Sequence, residues 1–144
     1  MSAADNERIV RAYLDAFNAR DWTAHAALLA EDAVMEVPGT GERYRGRDAV
    51  SASERAWTDA FEDARIDLDH LAGGGGVVVA EYTGTGTHTG PLPGPDGEIA
   101  PTGRPGTLRL CDVFTIRDGR IVAVREYYDT MALLAELGLV GAAA

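Results

Sequence analysis

Apolar residues recur at helical spacing in the first half of the chain. One apolar face in residues 5–19 predicts a helix with Asp5 as its N-cap. The face consists of Ile9, Ala12, Tyr13, Ala16 and Phe17. Asp21 is predicted to cap a short second helix, and Asp48 to open a third that ends near Phe61.

The second half of the chain alternates between apolar and polar residues, which predicts strands. Long strands are expected at 65–71, 77–88, 107–117 and 121–128, with a hairpin turn at Asp118–Gly119. A short strand pair at 31–38 and 44–46 interrupts the helices, and Asp129 caps a last helix that stops at Gly138. This order predicts an α+β fold with helices on one face of an antiparallel sheet. Gly84 and Gly86 supply the bend that would curl the sheet around a pocket.

The 144 residues suit one domain, residues 1–144. The loop 90–106 holds all but one of the six prolines, and a loop of this length is expected at the mouth of a pocket. Residues 139–144 are expected to be frayed.

Charge and composition exclude several functions. The net charge is −10, with 13 basic and 23 acidic residues and scattered arginines, so nucleic acid is not an expected partner. No apolar run approaches the ~20 residues that span a membrane, and the N-terminus does not resemble a signal peptide, so a cytoplasmic protein is expected. The one cysteine and three distant histidines do not form a metal-site pattern, and no nucleotide or flavin motif is present, so neither metal nor cofactor is expected.

Asp112 is the most informative residue for chemistry. It alternates with four large apolar residues on the core-facing side of its strand: Leu108, Leu110, Phe114 and Ile116. A carboxyl group there has a raised pKa when it is unpaired, which suits a general acid or base. The alternative is a structural Asp112 that is paired with Arg125 or bound to a backbone amide.

Other candidates surround this position. His88 ends a strand at the pocket mouth, where it could share a proton or hold a substrate oxygen, or simply be a surface residue. His25 and His70 are expected to be structural or exposed. The last strand carries Arg125 and Tyr127 on one face and Glu126 on the other, and the pattern does not decide which face is inward. Arg125 beside Asp112 would lower its pKa, whereas Glu126 would raise it.

Four aromatic residues at helical spacing could either line a cavity or fill the core: Tyr13, Phe17, Trp22 and Trp57. Three of them join the predicted pocket. The predicted substrate-binding set is Tyr13, Phe17, Trp57, Leu110, Phe114, Arg125 and Tyr127.

The chain also resembles a known family through motifs that cover nearly its whole length. They are Tyr13-Leu14-Asp15-Ala16-Phe17, Gly86-Thr87-His88-Thr89-Gly90-Pro91, Pro101-Thr102-Gly103-Arg104, Asp112-Val113-Phe114 through Ile121-Val122, and Tyr127-Tyr128-Asp129. With these motifs the chain resembles the SnoaL-like polyketide cyclases, within the nuclear-transport-factor-2-like and ketosteroid-isomerase-like superfamily. The resemblance implies a cone-shaped curved antiparallel sheet packed against three helices, with a short C-terminal helix. It also implies a homodimer.

The resemblance further implies a role for particular residues. Asp112 matches the family's acid/base, and His88 matches the histidine before the loop. Leu110 departs from the pattern, because cyclases often have a histidine there. The function expected is cofactor-independent proton transfer on a polyketide-like or polycyclic ketone, by aldol cyclisation or a close relative. Two alternatives stay open, which are epoxide hydrolysis or isomerisation in the same pocket and a non-catalytic ligand-binding or accessory role.

Overall fold

The structure is a computed structural model that describes residues 2–94 and 96–141. Three helices lie in the first half of the chain and one near its end: α1 (Ala3–Ala19), α2 (Trp22–Ala27), α3 (Arg47–Ala60) and α4 (Thr130–Glu136). Eight strands complete the fold: β1 (Leu29–Val37), β2 (Glu42–Arg45), β3 (Arg65–Gly74), β4 (Val77–Thr87), β5 (Leu92–Gly94), β6 (Gly97–Ile99), β7 (Pro105–Arg117) and β8 (Arg120–Tyr128). The α+β prediction is confirmed.

Six strands form one curved sheet in the order β2-β1-β8-β7-β4-β3. All neighbours are antiparallel except β1 and β8, which run parallel, so the expected purely antiparallel sheet is wrong at this one pair. The helices cover the inner face, where the core residues of β4, β7 and β8 point. The inner face and the helices together enclose the space in which a ligand can be held.

Local details depart from the predictions in several places. Ser2, not Asp5, is the N-cap of α1, because the Ser2 hydroxyl accepts from the Asp5 amide while the Asp5 carboxylate accepts from the Ser2 amide. β3 runs beyond the expected strand 65–71 and ends at Gly74. The predicted loop 90–106 contains the β5–β6 hairpin, and β7 already begins at Pro105.

The chain end is ordered a little further than expected. The amides of Gly138 and Leu139 still donate to carbonyls of Ala135 and Leu134. The expected fraying of 142–144 lies outside the described residues. Within the described ranges, none of the helices combines the length and the apolar character needed to cross a bilayer.

Candidate active site

Asp112 and Glu126 face each other across the two central strands. The register of β7 with β8 pairs these two residues directly, and both side chains point inward with almost no exposure, 1% and 2%. Residues directly opposite on one face of an antiparallel pair are in side-chain contact. A buried carboxyl pair therefore lies on the inner face of the sheet.

Two further inward residues complete what we call the acid cluster: Asp112, Glu126, Glu54 and Tyr82. The Tyr82 hydroxyl donates to Asp112 Oδ2 over 2.7 Å and lies 3.5 Å from Glu126 Oε1. Glu54 reaches the pair from α3 and is 6% exposed. Asp112 Oδ1 and Glu54 Oε1 are buried without a hydrogen-bond partner in the described part of the chain.

Burial and crowding set the protonation of the acid cluster. Burial, then the adjacent Glu126 carboxyl, raise the pKa of Asp112 well above its ordinary range, against a smaller lowering by the Tyr82 hydrogen bond. Burial and then the charge of Glu54 raise the pKa of Glu126 as well. Burial, followed by the charge of Asp112, raises the pKa of Glu54 to about 8. Three carboxyl groups so close together cannot all be ionised at neutral pH, so the cluster keeps protons.

Two cavities meet at the acid cluster. The small cavity, of about 70 Å³, is lined by mainly apolar side chains of α1, α3, β3, β4 and β7, together with Arg65, Glu54, Tyr82 and Glu126. The large cavity, of about 450 Å³, lies between β1, β2, α3, the β5–β6 hairpin and α4. Glu126, Trp57 and Leu133 line both cavities. Glu126 is thus the member of the acid cluster that borders both cavities.

Most of the predicted pocket residues lie at these cavities. Tyr13, Phe17 and Leu110 line the small cavity, and Trp57 lines both. Phe114 lines neither, because its fully buried ring packs against Tyr13 in the core. The β5–β6 hairpin within the predicted mouth loop contributes Leu92 and Ile99 to the wall of the large cavity.

Arg125 and Tyr127 lie away from the small and large cavities, although Tyr127 lines a separate, more open pocket. Both are exposed on the outer face of β8, whereas Val124 and Glu126 point inward. Neither residue joins the predicted inner pocket, because alternation along a strand sends neighbours to opposite faces. The structural alternative for Asp112, a pair with Arg125, fails for the same reason.

His88 is buried, but it is not brought to Asp112. It follows β4 eight residues after Ala80, the residue opposite Asp112, which is on the order of 26 Å of strand. Its Nδ1 accepts from the Thr102 amide over 3.2 Å and lies 3.0 Å from the Thr102 hydroxyl, and its ring packs on Phe61. The two predicted catalytic residues, His88 and Asp112, are therefore not neighbours, and His88 holds the proline-rich loop to the end of α3.

The other histidines are not near a reacting group either. His25 is fully buried, with Nδ1 2.9 Å from the Ser51 hydroxyl and its ring 4.0 Å from that of Tyr13. Burial lowers the pKa of His25 to about 4, so it is neutral. His70 is exposed in β3. The described part of the chain has no group of three or more histidine, cysteine and acidic side chains arranged to hold a metal ion.

Glu54, Tyr82 and Glu126 were absent from the predicted site. Glu54 lies four residues after Val50 and three before Trp57, on the inward stripe of α3, so its spacing was a usable signal. Tyr82 alternates with Val78 and Ala80 in β4. The inward position of Glu126 could be assigned only from the strand register, because both faces of β8 mix polar and apolar residues.

A curved sheet packed against helices, with carboxyl groups buried where the two meet, defines a class of small cavity-bearing α+β proteins. The model of the SnoaL-like polyketide cyclase family matches residues 7–137, so the chain belongs to this family.

Solved structures agree with this assignment. A candidate polyketide cyclase from Xanthomonas campestris is 28% identical, with a TM-score of 0.76 over 94% of this chain and 98% of that one. IdmH, a candidate polyketide cyclase from Streptomyces antibioticus, is 27% identical, with a TM-score of 0.77 over 92% and 98%. An epoxide hydrolase of the LEH-like type from M. tuberculosis is 24% identical, with a TM-score of 0.72 over 94% and 90%, a likeness of fold.

Proposed function

We propose that this protein is a cofactor-independent enzyme that binds a polyketide-like or polycyclic ketone and moves protons on it with the Asp112–Glu126 pair. The observation that carries the proposal is the acid cluster at the junction of the two cavities. A carboxyl group with a raised pKa that borders an apolar cavity is suited to acid and base work near neutral pH. A purely structural cluster would be expected to carry a neutralising cation, and the described residues place none against these carboxyl groups.

The cluster supplies an acid and a base at once. The ionised member takes a proton from the carbon next to the ketone, and a neutral carboxyl group donates a hydrogen bond to the enolate oxygen that forms. In an aldol closure the enolate carbon then bonds to a second carbonyl carbon, and the neutral carboxyl group gives its proton to the new alkoxide. Glu126 borders the substrate, while Asp112 completes the pair and Tyr82 fixes its orientation.

The same groups also suit epoxide opening, which is the second candidate reaction. A neutral carboxyl group would protonate the epoxide oxygen while a carboxylate activates a water molecule. Protonated and ionised carboxyl groups side by side favour this reaction too, and a protein of similar fold is an epoxide hydrolase. The two reactions are distinguished by assaying a ketone and an epoxide with one set of variants.

The test measures exchange of a carbon-bound hydrogen. β-Tetralone is incubated with the enzyme in D₂O at neutral pH, and NMR follows the loss of the hydrogens next to its ketone above the buffer rate. We expect Asp112→Asn to lower the enzymatic rate by about 10²–10³. Glu81→Gln, which removes an exposed carboxylate of β4, should leave the rate unchanged.

Two outcomes would contradict the proposal. Full exchange activity in Asp112→Asn would remove the pair from the reaction. A wild-type protein that binds the ketone but does not exchange its hydrogens would favour the non-catalytic binding role.

A further inference from the structure

The large cavity has the size of a binding site for a small organic molecule. Its volume of about 450 Å³ falls within the ~300–1,000 Å³ of typical ligand sites. It reaches the acid cluster through Glu126, so a molecule bound there lies beside the reacting groups. The small cavity, of about 70 Å³, has room for only a short apolar group.

Three aromatic side chains line the large cavity: Tyr44, Trp57 and Tyr128. The rings of Trp57 and Tyr128 meet edge to face, with centroids 5.6 Å apart and planes at 80°. Tyr44 is half-buried and approaches from β2. Aromatic faces carry partial negative charge and attract cations, most strongly where water is excluded.

Two carboxyl groups lie in the same wall. Glu42 accepts from the Thr40 hydroxyl over 2.8 Å and from the Tyr44 hydroxyl, so two donors hold its orientation. Glu126 is the second. Strand alternation sends Arg43 and Arg45 to the other side of β2, where Arg43 pairs with Glu36. Among the residues that the structure describes around this cavity, none is basic.

These contacts disfavour an anionic ligand and favour a cationic one. A carboxylate or phosphate would meet the Glu42 carboxylate and three aromatic side chains without a basic partner, whereas an organic ammonium group would be attracted by both. Burial, followed by the charge of Glu54, raises the pKa of Glu126, and a positive charge nearby would offset both effects. The net charge of −10 also attracts cations to the protein.

We propose that the large cavity recognises a protonated or quaternary amine, held between Glu42 and the aromatic side chains Tyr44, Trp57 and Tyr128. This inference rests on the proposed function, because the amine would be a substituent of the proposed ketone substrate. The substrate class becomes an amine-bearing polycyclic or polyketide-like ketone.

The test compares two probes that differ only in charge. Choline and 3,3-dimethyl-1-butanol have the same shape, with a quaternary nitrogen in one and a carbon in the other. Binding is followed by the shift of the Trp57 indole NMR signal at ~0.15 M salt, which screens exposed surface charge. We expect choline to bind about tenfold more tightly than the alcohol.

Variants locate the preference. Glu42→Gln should reduce the choline-to-alcohol ratio to near one, whereas Glu36→Gln, on the opposite side of β1, should keep it. Equal binding of the two probes, no binding of either, or a ratio that Glu42→Gln leaves intact would each overturn the proposal. Because the readout is binding without turnover, this failure is separate from loss of the exchange activity, which tests the acid cluster.

Discussion

The acid cluster and the His88 region are equally buried but differ in their surroundings. Asp112 and His88 are 1% and 0% exposed. The carboxyl groups of the cluster repel one another, and two of them, Glu54 and Glu126, line cavities, while Asp112 lies behind Glu126. The His88 ring instead packs on Phe61, accepts a hydrogen bond from Thr102 and lines neither cavity. Burial of a polar side chain therefore does not by itself indicate catalysis.

What separates the two regions is the presence of carboxyl groups that lie buried beside one another. Nδ1 of His88 instead accepts from the Thr102 amide, and its ring packs against Phe61. The carboxyl groups can be neutral only by keeping protons that water would otherwise take. The cluster is consequently costly to stability and chemically useful, whereas His88 stabilises the loop.

Removal of the His88 ring should cost the most stability among the variants that follow. His88→Ala deletes a fully buried ring and the Thr102 hydrogen bond, so we expect the free energy of unfolding to fall by about 3 kcal/mol. Denaturant unfolding measures the loss, with the exposed His70→Ala as the control. Exchange activity per folded molecule should persist. A loss of exchange without a loss of stability would give His88 a role in the reaction.

Glu54 should make stability depend on pH. Its folded pKa of about 8 lies above the ordinary 4.5, so its contribution to stability is complete below pH 4.5 and is lost as the pH rises through 8. From pH 6 to 8 the free energy of unfolding should fall by about 2 kcal/mol more in the wild type than in Glu54→Gln. Asp59→Asn, exposed on the same helix, is the matched control. Parallel curves for wild type and Glu54→Gln would mean that Glu54 does not hold its proton.

Tyr82 should tune the cluster rather than hold it together. Its hydrogen bond favours the ionised form of Asp112, so Tyr82→Phe should raise the Asp112 pKa further and move the pH–rate profile for exchange to higher pH. At neutral pH the rate should fall by about tenfold. An unshifted profile with a lower rate would instead indicate that the hydroxyl acts on the substrate.

The sequence predicted the inward position of Asp112 because four large apolar residues alternate with it in one strand. The neighbours of Asp112 depend on pairings between distant segments, which no local pattern contains. Glu126 is the partner of Asp112 only because of the β7–β8 register. The parallel pairing of β1 with β8 likewise joins residues that are far apart in sequence, such as Met35 and Val124. His88 matches the family motif in sequence, but it lies eight residues along the chain from Ala80, the residue opposite Asp112.

Substitution of Arg125 should have the smallest effect on exchange activity, and it tests whether the two faces of β8 are independent. It is the cation that could have neutralised Asp112 from the neighbouring strand, yet it points to the outer face while Glu126 points inward. Arg125→Ala should therefore leave the exchange rate and its pH profile unchanged, with stability within ~0.5 kcal/mol of the wild type. The measurement is the exchange rate of wild type and variant across pH 5–9. A shift of the profile to higher pH would show that the Arg125 charge reaches Asp112 through the sheet, and the division between a structural outer face and a reactive inner face would no longer hold.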